Sequence, residues 1–205
     1  MYEHYSNFPM LSGERGLSKQ CPLTINEYLA AQQRSVIKIK QDGNCFYSAL
    51  SFQLFGTQDE DIAVRNMVHR MVLLNKNTFK PFFIPTLKVH TFEKLCEHNW
   101  KPGIWATQVE VVAAATLFQV PIYFISPSTK TGHKWNVIHP LTNSLIYYPC
   151  YPDIDEATPL KPSHFELLYY ENLHCDAVMA VDSGRVSTDN PILTGSASEL
   201  IDLCD

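Results

Sequence analysis

Asp42-Gly43-Asn44-Cys45-Phe46-Tyr47-Ser48-Ala49-Leu50 reads as a tight turn that feeds directly into a helix, with a cysteine in the helix's first turn. Gly43 tolerates positive φ without strain, and Asp42 and Asn44 can bond their own backbone, so these residues suit a turn. Phe46, Ala49, Leu50 and Leu54 then recur at helical spacing. A helix N-terminus carries unpaired N–H groups and a partial positive charge, which favours a thiolate over a thiol. The same N–H groups can hold an oxyanion. The stretch is built as a site for a cysteine nucleophile would be. The alternative, a buried core cysteine behind a turn, is the one that residue type alone favours.

Upstream, Val36-Ile37-Lys38-Ile39-Lys40 alternates and is β-branched, as a strand is. Thr24-Ile25-Asn26-Glu27 is a capping box that opens a helix near residues 24–34. Downstream, Gly56 can end the Cys45 helix. Thr57-Gln58-Asp59-Glu60 is a second box, predicting a helix near 59–75 with Ile62, Val64, Met67, Val68, Met71 and Leu74 facing inward. Pro81, Pro85 and Pro102 break up residues 76–104 and leave room for a short helix near 91–98. Thr107-Gln108-Val109-Glu110 is a third box, opening the small-residue helix Val111–Phe118. Pro121-Ile122-Tyr123-Phe124-Ile125 reads as a buried strand, His164–Tyr170 as another, with weaker strands near 135–138 and 145–148. Helices come first and strands cluster later, so the class is α+β, in one domain over residues 23–181. Residues 1–22 are expected to form an irregular arm, and residues 182–205 a flexible tail.

The chain has 205 residues, 45% hydrophobic and 12% aromatic, which is enough to build a core. A net charge of −5 without any Lys/Arg run argues against nucleic acid as a partner. Six cysteines are scattered with no C-x-x-C pair, no basic n-region precedes an apolar stretch at the N-terminus, and no apolar run is long enough for a membrane span. Free thiols in a cytoplasmic or nuclear setting, away from membranes, are therefore expected. Cys96 with His98, and His174 with Cys175, lack the paired spacing of a structural zinc site, so no metal is expected.

A thiol nucleophile needs a base, and the base needs an orienting group. Among the eight histidines, His164 follows a Pro-rich loop at the mouth of a strand. Glu166, two residues on, projects on the same face and can accept a bond from the imidazole. A solvated strand end is the alternative for this pair.

Taken together, these segments resemble the ovarian-tumour (OTU) family of cysteine proteases. Asp42–Ala49 resembles its nucleophile motif. Trp105-Ala106-Thr107-Gln108-Val109-Glu110 with Val111–Ala115 resembles its middle motif, and Pro121-Ile122-Tyr123 the strand that follows. His164-Phe165-Glu166-Leu167-Leu168 resembles its final His-aromatic motif. The resemblance implies a papain-like OTU fold, with a mostly antiparallel or mixed central sheet flanked by helices. It implies a monomeric deubiquitinase that needs no cofactor and acts on ubiquitin, polyubiquitin chains or ubiquitinated proteins. By this resemblance Cys45 is the nucleophile, His164 the general base, Glu166 its support, and Asp42 a member of the catalytic set. The backbone N–H groups of Asp42, Gly43, Asn44 and Cys45 are the oxyanion-hole candidates. Trp105 is a candidate wall for a slot that admits only glycine, with a core tryptophan as its alternative. One departure stands out: the family carries Asp or Asn two residues after its histidine, where this chain has Glu166. That departure is what favours a second reading, an inactive ubiquitin-binding module.

Overall fold

Residues 24–86, 88–127, 133–142, 145–148, 162–170 and 174–181 are described by a computed structural model. The expected arm (1–22) and tail (182–205), with Cys21, Cys150 and Cys204, lie outside the described residues. Along the chain run α1 (Ile25–Ala31), β1 (Arg34–Ile37), α2 (Cys45–Phe55), α3 (Asp61–Leu74), α4 (Lys76–Phe79), a 3-10 turn (Lys80–Phe82), α5 (Phe92–His98) and α6 (Gln108–Phe118). Then come β2 (Ile122–Ser126), β3 (Lys134–Ile138), β4 (Phe165–Tyr170) and β5 (His174–Ala180).

Local chemistry sets most helix boundaries. Thr24 and Thr107 each form both halves of a capping box, with Glu27 and Glu110 respectively, a device that typically contributes about 1 kcal/mol. Gly56 closes α2 at φ 75°. The Thr57 box does not form. Thr57 Oγ1 is engaged by Asp59 in a short turn of its own, and α3 begins later, behind Glu60, with no side-chain cap. Of the face expected to turn inward, Val64, Met67, Val68 and Met71 are buried, but Ile62 and Leu74, at the two ends of α3, are exposed, and Ala63, Arg65 and Val72 are buried as well.

The five strands form one mixed sheet in the order β1-β5-β4-β2-β3. β4 runs parallel to β2, and the other neighbours are antiparallel. Helices α2, α3 and α6 cover one face, where Phe165, Leu167, Cys175 and Ala177 join Phe46, Leu50, Met67 and the alanines of α6 in the main core. On the other face, Leu29 of α1 packs with Ile125, Leu168 and Val178. The architecture is α+β, a helix-flanked mixed sheet.

Three strands differ from expectation. The strand read over Val36–Lys40 runs instead over Arg34–Ile37, and past it Ile39 N–H goes to the Asp176 side chain and Lys40 N–H to that of Gln58. Residues 146–148 are not a strand, because the Asn75 side chain takes the place of a neighbouring strand. It accepts from Tyr147 N–H at 2.6 Å and donates to Tyr147 C=O at 2.7 Å. Conversely β5, which the sequence reading omitted, lies in the middle of the sheet between β1 and β4.

Candidate active site

Cys45 is the first residue of α2, as the turn-then-helix pattern predicts. The turn before it is shaped by side chains. Asp42 Oδ1 accepts from the Asn44 N–H at 2.9 Å. That bond gives Asp42 a role in holding the loop and removes the Asn44 N–H from the candidate oxyanion donors, which leaves those of Asp42, Gly43 and Cys45. The Asn44 carboxamide oxygen accepts from Gly103 N–H and from Arg65, both at 2.7 Å. Arg65, wholly buried on α3, also donates to Asn99 C=O at 2.9 Å and to Gly43 C=O at 3.3 Å, and lies 4.0 Å over the Tyr47 ring. Asn99 in turn donates to Glu110, at 3.0 Å, in the first turn of α6. A buried cation thus locks the nucleophile loop to the 99–103 loop, and nothing in the periodicity of α3 signals it. Trp105, two residues past Gly103, is half exposed, as the wall of an open slot would be and a core tryptophan would not.

The histidine that meets Cys45 is His174, at the start of β5, and not His164. The Cys45 thiol lies near enough to Cys175 and to the His174 side chain for both to favour its ionised form. His174 Nε2 lies 3.0 Å from Asp176 Oδ1. Asp176 accepts further bonds from Ile39 N–H at 2.9 Å, Lys38 Nζ at 2.7 Å and Tyr170 OH at 3.0 Å. Burial pushes the Asp176 carboxyl up, but its bonds to Lys38, Ile39, His174 and Tyr170 outweigh that and hold it below the usual carboxylate range. Facing a carboxylate, Nε2 must be the donor, so in the neutral ring Nδ1 is the acceptor. Tyr170 stacks on the imidazole, with centroids 5.8 Å apart.

His164 and Glu166 do bond each other, Nε2 to Oε1 at 2.8 Å, as their spacing predicts. They do so at the wrong end of the sheet. Tyr170 pairs with His174, and His164 lies six residues before Tyr170, about 20 Å along a strand. Helix α2 points the same way. Its Gln53 brackets the Glu166 backbone, donating to its C=O at 3.1 Å and accepting from its N–H at 3.0 Å. Cys45 is eight residues back, about 12 Å along the helix toward the other end. Glu166 is instead gripped by Arg34 through two bonds of 2.6 and 2.7 Å, and His164 packs edge-on to Tyr123 and touches Ser163. The pair is a part-buried tie between β1 and β4, and the departure noted at Glu166 no longer bears on the nucleophile. His174-Cys175-Asp176 supplies the Asp two residues after the histidine that Glu166 lacked. That spacing was the signal available in the sequence.

The electrostatics favour a thiolate. The Cys45 thiol is pushed down to about 6, first by a hydrogen bond from the Cys175 side chain, then by the Cys175 N–H and His174, against the opposing effect of burial. Cys175 is pushed well up, because its proton is held by Cys45 and it is buried. The thiolate fraction of Cys45 therefore grows as pH rises through about 6. Alkylation by iodoacetamide, followed at Cys45 by mass spectrometry, is expected to rise over that range and level off above it. A midpoint near the roughly 8.5 of a free thiol would contradict this.

Comparison with known proteins agrees with this frame. The family model of OTU-like cysteine proteases matches residues 40–154, a span that stops short of both histidine segments. An Arabidopsis thaliana ovarian tumor domain-containing deubiquitinating enzyme 7 is 34% identical over 98 residues, 47% of this chain and 25% of that protein. The human deubiquitinase OTUD6B is 27% identical over 139 residues, 62% of this chain and 45% of that protein. The chain thus spans less than half the length of either relative. Among solved structures, the OTU domain of OTUD1 superposes with a TM-score of 0.57 at 20% identity, covering 75% of this chain and 91% of that domain. The Hazara virus OTU bound to ubiquitin superposes with a TM-score of 0.50 at 13% identity, covering 79% and 89%. With the family pattern running over more than half of its residues and the same fold beneath it, the chain belongs to the OTU-like cysteine proteases.

Proposed function

We propose that the chain is a cysteine-type deubiquitinase that hydrolyses isopeptide or peptide bonds after the C-terminal Gly of ubiquitin. The observation that carries this reading is the Cys45 thiol at a helix N-terminus, favoured in its ionised form by a histidine that a buried aspartate orients. Ubiquitin as the modifier is supported by relatives named as deubiquitinases and by the ubiquitin-bound viral domain of the same fold.

The chemistry follows from the geometry. His174 Nδ1 takes the Cys45 proton while Nε2–H stays on Asp176, so the imidazolium that forms is stabilised by a carboxylate already in place. The thiolate attacks the glycine carbonyl carbon, and loop N–H groups from Asp42, Gly43 and Cys45 receive the oxyanion. His174 protonates the departing lysine amine. It then draws a proton from water, which hydrolyses the thioester and frees Cys45. The rigid loop behind Cys45 keeps its donors aimed without rearrangement. Trp105 forms one side of the slot for the ubiquitin Gly-Gly tail, and its exposed face is the part left for substrate to cover.

The test is turnover of ubiquitin whose C-terminal glycine is amide-linked to a fluorogenic amine. The intact chain is expected to release the fluorophore, and Cys45→Ala to abolish release while keeping the fold by circular dichroism. A folded wild-type chain that binds ubiquitin and never releases the amine would leave an inactive binding module as the better description.

A further inference from the structure

His174 is the first residue of β5, so its ring stands at a strand end. An imidazole held by one bond at Nε2 is still free to turn about that bond, and turning swings Nδ1 away from its target. Tyr170 removes that freedom. It is the last residue of β4 and pairs directly with His174, so the two side chains stand side by side on one face of the sheet. Their rings are nearly parallel, at 17°, with centroids 5.8 Å apart, which is an offset stack. The Tyr170 hydroxyl also donates to Asp176 Oδ2 at 3.0 Å, while His174 Nε2 holds Oδ1. One side chain therefore grips both the base and the acid that orients it.

Asp176 is 1% exposed, and both its oxygens are fully engaged. Oδ1 accepts from His174 and from Ile39 N–H, and Oδ2 from Tyr170 and Lys38. Lys38 lies one residue past β1, with a side chain that is mostly in solvent. Its ammonium is 2.7 Å from Oδ2, 3.3 Å from the Tyr170 oxygen and 5.6 Å from the centre of the Tyr170 ring. Three donors besides the base thus fix the carboxylate, and two of them share one oxygen.

We propose that Tyr170 and Lys38 are positioning residues for the base: Tyr170 sets the plane of the His174 ring, and Tyr170 with Lys38 pins Asp176 Oδ2 so that Oδ1 stays on Nε2. The proposal rests on the reading of Cys45 as nucleophile and His174 as base. Neither residue gives a proton to the reacting atoms, and each acts through His174. The ring and the hydroxyl of Tyr170 have separable jobs, and the hydroxyl shares its job with Lys38.

The test pairs ubiquitin turnover with alkylation of Cys45 by iodoacetamide, which is read by mass and needs no ubiquitin. Tyr170→Leu, in a chain that still melts cooperatively, is expected to lower kcat about 100-fold, the cost of a misplacement of about 1 Å. KM should stay at the wild-type value, and Cys45 alkylation at neutral pH should slow. Tyr170→Phe keeps the stack and drops the hydroxyl, and Lys38→Met keeps the stem and drops the ammonium. Each leaves Oδ2 one donor and is expected to cost only several-fold, about one hydrogen bond. Combined, they leave a buried carboxylate oxygen without a donor, so the double variant is expected to lose more than the product of the two single losses. A tyrosine that only packs would lower the melting temperature in Tyr170→Leu and leave kcat and alkylation unchanged, and that result would overturn the proposal. So would Tyr170→Phe as slow as Tyr170→Leu, or a loss confined to KM. If Tyr170→Leu does not fold, the double variant decides, and single losses that simply multiply would overturn the proposal. A chain that never cleaves ubiquitin, yet whose Cys45 alkylation slows in Tyr170→Leu and recovers in Tyr170→Phe, upholds this proposal and sinks the functional reading. Active enzyme indifferent to Tyr170→Leu does the reverse.

Discussion

His174→Ala is expected to lower kcat/KM for a ubiquitin amide by about a thousandfold, roughly 4 kcal/mol of transition-state stabilisation. The loss falls on kcat, because the imidazole acts on the proton of Cys45 and on the leaving amine and does not bind ubiquitin. His164→Ala, by contrast, is expected to leave kcat/KM unchanged and to lower the melting temperature, since it removes one partner of Glu166 while Arg34 keeps its grip on that carboxylate. The two variants differ by one strand length in where they act. A large kinetic loss in His164→Ala with His174→Ala near wild type would reverse the assignment of the base.

Gly43→Ala is expected to be the most damaging single methyl group in the loop. Gly43 has φ 85°, and a Cβ there would lie 2.6 Å from the Gly103 carbonyl carbon and closer still to its oxygen. Neither side can yield cheaply. The Gly103 N–H is bonded to Asn44, and Asn44 to the buried Arg65. The loop must move, and the N–H groups aimed at the oxyanion move with it. Loss of one such donor costs on the order of 100- to 1,000-fold in rate, so kcat should fall by at least that much. Gly56→Ala is the control. Its φ of 75° is equally left-handed, but nothing lies within 4 Å of the added Cβ. It should therefore cost about 1–2 kcal/mol of stability and leave kcat untouched. Equal kinetic effects of the two substitutions would mean that the Gly43–Gly103 contact does not set the loop.

Much of this molecule is legible in its sequence. The loop Asp42-Gly43-Asn44, the Cys45 helix and its Gly56 stop are read from turn chemistry and periodicity, which are local. So are the Thr24 and Thr107 boxes, because each needs only residues three apart. The Thr57 box has the same letters, but Asp59 competes for its hydroxyl at closer range. The histidine beside Cys45 is hidden from the sequence for a non-local reason. His164-Phe165-Glu166 and His174-Cys175-Asp176 are both histidine–acid pairs at the start of a strand, and each histidine does bond its acid. β4 and β5 are antiparallel, so their starts lie at opposite ends of the sheet, and only β5 begins beside the N-terminus of α2. Strand direction relative to a helix set more than a hundred residues earlier is not written in either motif. Arg65 escaped notice for a related reason. A charge on an amphipathic helix looks solvated until the carbonyls of Gly43 and Asn99 and the amide of Asn44 are seen to converge on it.

The central claim is that Cys45 is a nucleophile aligned on the tail of ubiquitin. It is tested most directly by a ubiquitin bearing an electrophile in place of its C-terminal carboxylate. The account predicts a one-to-one covalent adduct with the folded chain, mapped to Cys45 by peptide mass. It also predicts that the adduct is lost in Cys45→Ala and forms much more slowly in His174→Ala. An adduct on another cysteine, or none on a folded and fully reduced chain, would contradict it.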